Sequence, residues 1–578
     1  MSPGQLTSEE DGSFTAASVN LISDWVKNCL DNHPDCRGTD APHILPNRIL
    51  NVSGSGDIKL CSGELLNGQT YCALSHCWGD AHSTPPLRTT RDTLGVRQTG
   101  IPIPSLSLTF QDAIRVTRAL GICYLWIDSL CIVQDDARDW EVESAKMSSI
   151  YENAHFVVAA TDAKEGSAGC FLRQPPSSSR PTSKRDRLSS PFSTSSPLSP
   201  SSSGSSGPST HIFFEPYSWP NGNPTASLCP LLLRAWCLQE RLLSRRMVHF
   251  TRAELVWECR SKVDCECGKL NSPGSLSSGP SSKGEWSTSQ EHVKLFLLWH
   301  KTVSLYAKLR ISFPSDRLPA ISGLAKKLQS RGAGRYVAGI WEENVFADLL
   351  WTMVLPGTRA RQWQAPSWSW ACFEGPITLS TAVSYGSTKE SYVDTLHLRK
   401  PQASLTCPSG APFRTTLISL QHGFSGDPTG KATWAELTIQ APTISASYIG
   451  KHSGDQMMRI GDMEVKFKLD TSEDISDFVE GTPLTMKCLW IGTMWKKGIF
   501  VSEKELTDSE RTEVDAIPLP HCLILRTSRG LGGTKPTTSA YERVGVLSFN
   551  KFSKSSETDA AECIQQFKDA EVERITIL

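Results

Sequence analysis

The chain has 578 residues, which is enough for about two to four domains that each bury a core. Its 59 Lys and Arg residues balance 60 Asp and Glu residues, so the net charge is −1. This balance gives no reason to expect a nucleic-acid partner, because domains that bind polyanions concentrate positive charge.

The cellular compartment is predicted from two features of the sequence, a signal peptide and a membrane-spanning segment. The first ten residues lack the basic and apolar segments of a signal peptide. The longest apolar run, near residues 347–355, is too short to cross a bilayer. We therefore expect a cytoplasmic protein with no membrane span, and we expect most of its 18 cysteines to be reduced core residues.

Strand and helix patterns alternate in the first third of the chain. Short apolar runs at residues 71–75, 123–127 and 156–160 predict buried strands. Between them, residues 106–120 carry apolar side chains at helical spacing and are stopped by Gly121, and a second helix is predicted over residues 139–153 with Asp139 as its N-cap. A helix containing Trp236 and Glu240 follows, and then strands at residues 247–250 and 255–257. Alternating units of this kind predict a parallel sheet with helices on both faces.

Two tracts rich in Ser, Gly and Pro interrupt these patterns. Residues 174–210 cannot bury enough apolar surface to order themselves, which predicts a disordered insertion inside a domain. The second tract predicts a linker over residues 263–290. Around its start, Cys259, Cys265 and Cys267 have a C-x5-C-x-C spacing that fits no standard zinc motif, and no histidine is near them in sequence. We therefore predict no metal ligands and interpret this cluster as a free-thiol loop.

The rest of the chain changes character twice. Residues 1–17 form a polar tail, and residues 291–375 predict a helical connector. From about residue 432 apolar side chains recur with a period of two, for example at Leu437, Ile439 and Ala441. That period predicts a β-rich, antiparallel region over residues 376–578.

Three sequence blocks in this order resemble the HET (heterokaryon incompatibility) domain of filamentous fungi. They are YCALSHCWG at residues 71–79, YLWIDSLCIVQDD at residues 124–136 and RAWCLQERLLS at residues 234–244. The resemblance implies a HET domain over residues 18–262. The chain departs from the family pattern at His76, where Tyr is more usual, and in the long insertion.

The resemblance implies an effector of fungal non-self recognition that is linked to regulated cell death. HET domains are similar in fold to TIR domains, some of which cleave NAD with a helical glutamate in a Trp-Cys-x-x-Glu motif. Trp236 and Glu240 have that spacing here. The likeness implies a TIR-like α/β fold, with Glu240 as the catalytic residue and NAD as a possible substrate rather than a permanently bound cofactor. Whether the protein is an enzyme stays open, because the same domain can act as a signalling module through self-association or through another incompatibility protein.

Each candidate site residue has two interpretations. Glu240 can stabilise the cationic transition state of glycosidic cleavage, or it can form an ion pair with Arg234, Arg241 or Arg245. Asp128 ends a predicted strand, where it can hold a ribose hydroxyl or cap a turn. The remaining predicted ligand contacts are Ser75, His76, Trp78 and Trp236. At the strand end, Trp78 can stack on a base, or it can fill the core.

Overall fold

A computed structural model describes 17 stretches of the chain, which fall into two compact units. The described residues are 14–37, 45–66, 68–79, 86–172, 229–268, 282–288, 292–354, 357–360, 362–379, 415–452, 455–471, 484–496, 517–528, 540–548, 562–563, 565–567 and 570–578. The first unit takes residues 1–139, 149–233 and 240–287, and the second takes residues 140–148, 234–239 and 288–578. The predicted disordered insertion at residues 174–210 lies outside the described residues.

An eight-stranded sheet forms the centre of the first unit, in the order β2-β1-β4-β3-β5-β6-β7-β8. Its strands are β1 (Arg48–Asn51), β2 (Lys59–Ser62), β3 (Cys72–Ser75), β4 (Tyr124–Trp126), β5 (Phe156–Ala159), β6 (Arg246–Phe250), β7 (Leu255–Cys259) and β8 (Val263–Cys265). The helices up to this point and just beyond it are α1 (Ala16–Asn32), α2 (Leu94–Thr99), α3 (Leu108–Ala119), α4 (Asp128–Cys131), α5 (Ala137–Asn153), α6 (Ala235–Leu243) and α7 (Ser282–Thr288).

The middle of this sheet is parallel, as the sequence predicted. β3 pairs in parallel with both β4 and β5, and β5 pairs in parallel with β6. The three predicted strands are therefore neighbours in one sheet, and every residue of β3 and β5 is buried, as expected for strands covered on both faces.

The flanks of the sheet differ from the prediction. β1 is antiparallel to β2 and β4, and β7 is antiparallel to β6 and β8. The sheet is therefore mixed, because the short connection between β6 and β7 allows only a hairpin, and a parallel pair needs a crossover of a dozen or more residues.

Helix ends follow local chemistry, with one correction. Gly121 has φ +72° just beyond α3, the left-handed conformation in which helices commonly end. The predicted cap of α5 was wrong by one turn: Asp136 accepts the backbone N–H groups of Arg138 and Asp139. Asp139 instead pairs with Arg48 and accepts the backbone N–H of Val133 at 2.8 Å.

The second unit begins with helices and ends in strands. Its helices are α8 (His292–Tyr306), α9 (Pro319–Gln329) and α10 (Val345–Asp348). Short strands follow as β9 (Tyr336–Val337), β10 (Ile340–Trp341), β11 (Trp351–Met353), β12 (Thr358–Arg359), β13 (Phe373–Glu374) and β14 (Ile377–Leu379). Five tryptophans are almost fully buried in this part, which is more aromatic than a helical connector requires: Trp299, Trp341, Trp351, Trp368 and Trp370.

The predicted β-rich region is confirmed as a second large sheet. Its strands are β15 (Thr416–Phe424), β16 (Ala432–His452), β17 (Asp455–Ile460), β18 (Met463–Leu469), β19 (Leu484–Lys496), β20 (Ile517–Thr527), β21 (Ala540–Ser548) and β22 (Glu571–Ile577). Their pairings are antiparallel except for that of β21 with β22. Leu437, Ile439 and Ala441 are all fully buried, as their period of two predicted.

Within the described residues, no helix combines the length and apolarity needed to cross a membrane.

Candidate functional site

The predicted site residues of the first unit gather at the carboxyl ends of two neighbouring parallel strands. Ser75 is the last residue of β3, and His76 and Trp78 follow it. Asp128 begins α4 two residues after β4 ends. β3 and β4 pair in parallel, so their carboxyl ends meet at one edge of the sheet. Ligands of open α/β sheets bind at this edge.

Asp128 is the polar centre of this edge. The indole N–H of Trp78 donates to one carboxylate oxygen of Asp128 at 2.8 Å, and the backbone N–H of Ser129 donates to the other at 2.7 Å. The His76 Nδ1 atom lies 3.8 Å from the second oxygen. Asp128 is not the N-cap of α4, which is Ile127, and its contact with Ser129 is that of a turn residue, whereas the Trp78 contact orients the indole.

His76 and Trp78 differ in exposure. His76 is buried, and its ring meets the ring of Phe110 edge to face at 5.1 Å between centroids. Trp78 is only partly buried, and its indole is held by Asp128. The interpretation of Trp78 as a residue that fills the core is therefore weakened, since part of its ring surface stays accessible.

Glu240 lies on α6 and reaches the end of β3. The Ser75 hydroxyl donates to its carboxylate, and the residue is only 4% exposed. This hydrogen bond fixes the position of a buried carboxylate at the end of β3.

Two of the three arginines proposed as ion-pair partners for Glu240 have other acceptors. Arg241 forms a bidentate pair with Glu258, at 2.8 and 3.0 Å. Arg245 donates to the side-chain oxygen of Asn153 at 3.2 Å.

Trp236 has its described contacts in the second unit. Its indole N–H donates to Asp316 at 3.2 Å, and its ring meets that of Trp140 edge to face at 6.5 Å. Burial raises the pKa of Asp316 above its ordinary value, and the Trp236 hydrogen bond works against that rise. These contacts anchor the start of α6, and the ligand role of Trp236 stays a prediction.

A buried charge cluster around Glu258 was not anticipated. Glu258 pairs with Arg241 and lies 3.9 Å from the Lys283 ammonium and 3.3 Å from the Nε2 atom of His249. Burial would raise the pKa of Glu258, but Arg241 and Lys283 together hold it well below its usual range. Burial lowers the pKa of Lys283 to about 8. Arg241 lies in the third sequence block and Glu258 follows that block. Lys283 comes from the tract predicted to be a linker.

Cysteine grouping in space differs from grouping in sequence. The sulfur of Cys259 lies 3.3 Å from the Nδ1 atom of His33, and Cys265 and Cys267 instead approach Glu254. His33 is 226 residues away from Cys259 in sequence, so the absence of a nearby histidine along the chain did not reveal this contact.

The sequence model of the heterokaryon incompatibility protein (HET) family matches residues 71–240. This chain carries a HET domain. The match covers all three sequence blocks up to Glu240 and every predicted site residue, and it supports a role in heterokaryon incompatibility. No curated protein and no solved structure matches the chain. The likeness of the HET domain to TIR domains stays a prediction.

Proposed function

We propose that this HET domain is an effector of fungal non-self recognition linked to regulated cell death, and that it acts by cleaving NAD at Glu240. The observation that carries the proposal is the Ser75–Glu240 hydrogen bond at the carboxyl end of β3. It holds a carboxylate at the edge of the sheet where Asp128 and Trp78 also lie. Such an edge is the general ligand-binding position of this sheet type.

The chemistry follows from what a carboxylate does beside an anomeric carbon. The bond between nicotinamide and ribose breaks, and nicotinamide leaves as a neutral molecule with the electron pair. The ribosyl group becomes cationic in the transition state, and the Glu240 carboxylate stabilises that charge. Water attacks the anomeric carbon and loses a proton to solvent, so the products are ADP-ribose, nicotinamide and a proton.

The other site residues have supporting roles in this proposal. Ser75 orients the Glu240 carboxylate, and Asp128 fixes the indole of Trp78 so that its accessible face can stack on a base. His76 completes the predicted ligand contacts of the first unit. NAD is a substrate here, and no permanently bound cofactor is required.

The test measures NAD loss and host-cell death with the full chain. We expect Glu240→Gln to lower NAD turnover by about 100-fold or more while the protein stays folded, because the amide keeps the size but loses the charge. The matched control is Glu143→Gln, a buried carboxylate of the second unit, which should keep wild-type turnover. Unchanged NAD levels and unchanged cell death in a folded Glu240→Gln protein would sink the enzymatic proposal.

A second candidate function is a non-enzymatic module that acts by self-association, and one observation favours it. β15 stands at one end of the strand order of the second sheet, and large apolar side chains are exposed on or beside it. Phe424 is 45% exposed and Trp434, on the neighbouring β16, is 49% exposed. Terminal strands with exposed apolar residues can pair with a second chain.

A substitution at the β15 edge of the second sheet distinguishes the two functions. Under the module hypothesis, Trp434→Lys should shift the full chain to a smaller species in light scattering and abolish cell death, with NAD levels unaffected throughout. Phe313→Lys is the matched control, because Phe313 is 65% exposed and lies outside the sheet. Wild-type size and wild-type cell death in Trp434→Lys contradict the module hypothesis.

A further inference from the structure

Four potential metal ligands converge in the first unit, away from the Glu240 site. Cys29 lies in the last turn of α1, His33 directly follows α1, Cys36 ends the next short turn, and Cys259 is the last residue of β7. Their ligand atoms all lie within 4.8 Å of one another.

The environment of the four residues is that of a closed site. Cys29, Cys36 and Cys259 are fully buried, and His33 covers them at the surface with intermediate exposure. The Nδ1 atom of His33 lies 3.3 Å from the sulfur of Cys259, and the Ser261 hydroxyl lies 3.8 Å from the sulfur of Cys36. The imidazole therefore points its ring nitrogen at the sulfurs.

We propose that Cys29, His33, Cys36 and Cys259 bind one structural zinc ion. Tetrahedral zinc holds sulfur at about 2.3 Å and nitrogen at about 2.0–2.1 Å, so its ligand atoms lie about 3.6–3.8 Å apart. Four atoms within 4.8 Å of one another need only small movements to reach that geometry. The Cys-x3-His-x2-Cys spacing of the first three residues also falls in the range that zinc sites use for ligands on one segment.

The donor set selects both the metal and its role. Three thiolates and one imidazole favour zinc over calcium, magnesium or manganese, which prefer oxygen ligands. Four protein ligands leave no coordination position for water or substrate, which is the mark of a structural site rather than a catalytic one.

The site joins two distant parts of the HET domain. Cys29, His33 and Cys36 precede the region matched by the family model, and Cys259 follows it. Protein contacts already lie beside this junction: an Arg246 guanidinium N–H donates to the carbonyl of Cys36 at 2.7 Å, and the rings of Trp25 and Trp257 lie 6.1 Å apart. Zinc would close this junction and add its binding free energy to the stability of the domain.

Neighbouring cysteines supply an internal control. Cys265 and Cys267 form a separate group with Glu254, in which Cys267 is exposed and the two sulfurs lie 3.2 Å apart. This group has three candidate ligands and no imidazole. Cys265→Ser therefore removes a buried thiol of the same region without touching the proposed site.

The test is the zinc content of the full chain, purified under reducing conditions and dialysed against a weak chelator. We expect about one zinc per chain in the wild type and in Cys265→Ser, and at least a tenfold loss in Cys36→Ser and Cys259→Ser. His33→Cys should keep the metal, because four thiolates also form a standard zinc site. Loss of zinc from Cys265→Ser with retention in Cys36→Ser would overturn the assignment.

A second measurement covers variants that fail to fold. Wild-type protein loaded with cobalt(II) in place of zinc should show the intense visible and near-ultraviolet bands of a tetrahedral thiolate site, and equimolar zinc should abolish them. A wild-type chain without zinc and without these bands, or one with a disulfide among Cys29, Cys36 and Cys259, contradicts the proposal. Neither result bears on NAD cleavage at Glu240, so the two proposals fail independently.

Discussion

Two buried glutamates of the first unit, Glu240 and Glu258, differ in the contacts that they make. Glu258 faces the positive charges of Arg241 and Lys283, and Glu240 accepts a hydrogen bond from the Ser75 hydroxyl. Removing the charge of a buried carboxylate leaves its cationic partners uncompensated, but an amide oxygen can still accept from a hydroxyl. Adjacent positions in one sequence block thus have different physical tasks: Arg241 belongs to a structural ion network and Glu240 to the strand-end site.

We expect Glu258→Gln to lower the free energy of unfolding by about 3–5 kcal/mol, because Arg241 and Lys283 lose their shared counter-charge in the interior. Glu240→Gln should cost less than about 1 kcal/mol. Denaturant unfolding of the two variants beside the wild type measures both values. An equal loss in the two variants means that Glu240 is also a structural charge, and the catalytic proposal then loses its basis.

At the scale of secondary-structure elements, residues close in sequence determine where a helix ends, and burial on both faces is typical of the strands in the parallel centre of the sheet. α3 ends where Gly121 adopts φ +72°, and the fully buried β3 and β5 occupy the parallel centre of the sheet. The error at the start of α5 has a simple cause, since Asp136 and Asp139 can both cap a helix. Asp139 is instead engaged by Arg48 and by the backbone N–H of Val133.

The end of α3 can be tested by substitution. We expect Gly121→Ala to lower the free energy of unfolding by about 1 kcal/mol, because a Cβ atom strains the left-handed conformation although nothing lies within 4 Å of its position. The control is Gly95→Ala within α2, where the space is equally open and φ is not positive, so stability should rise slightly. Thermal melts measure both effects. If the two substitutions shift the melting temperature in the same direction, this account of the end of α3 is wrong.

Across the whole molecule, buried histidines tie stability to pH. Burial lowers the pKa of His521, in the second sheet, from 6.5 to about 4. The unfolded chain then binds the proton more readily than the folded chain between these values. The stability that His521 contributes is complete above pH 6.5 and is lost as the pH falls through about 4.

We expect this histidine alone to lower the free energy of unfolding by about 3 kcal/mol between pH 6.5 and pH 4. His521→Phe should flatten the pH profile of unfolding in that window, and His452→Phe, at an exposed position at the end of β16, should leave the profile unchanged. Identical acid slopes for His521→Phe and wild type would refute the assignment.

The sequence by itself determined the features that depend on neighbours along the chain. Periodicity identified the parallel strands of the first sheet and the alternating strands of the second, and three blocks identified the HET domain. Ser75, His76, Trp78 and Asp128 were each predicted at or just after a strand end, and parallel neighbours bring their carboxyl ends to one edge.

Only the tertiary structure decided which distant side chains face one another. Glu240 accepts a hydrogen bond from Ser75, which lies 165 residues earlier in the chain. Cys259 stood beside Cys265 and Cys267 in sequence, yet its spatial partners are His33 and two cysteines at the N-terminal end of the domain. The physical reason is the same in both cases: ion pairs, hydrogen bonds and metal ligands depend on distance in space, and spacing along the chain constrains that distance only within one helix or strand.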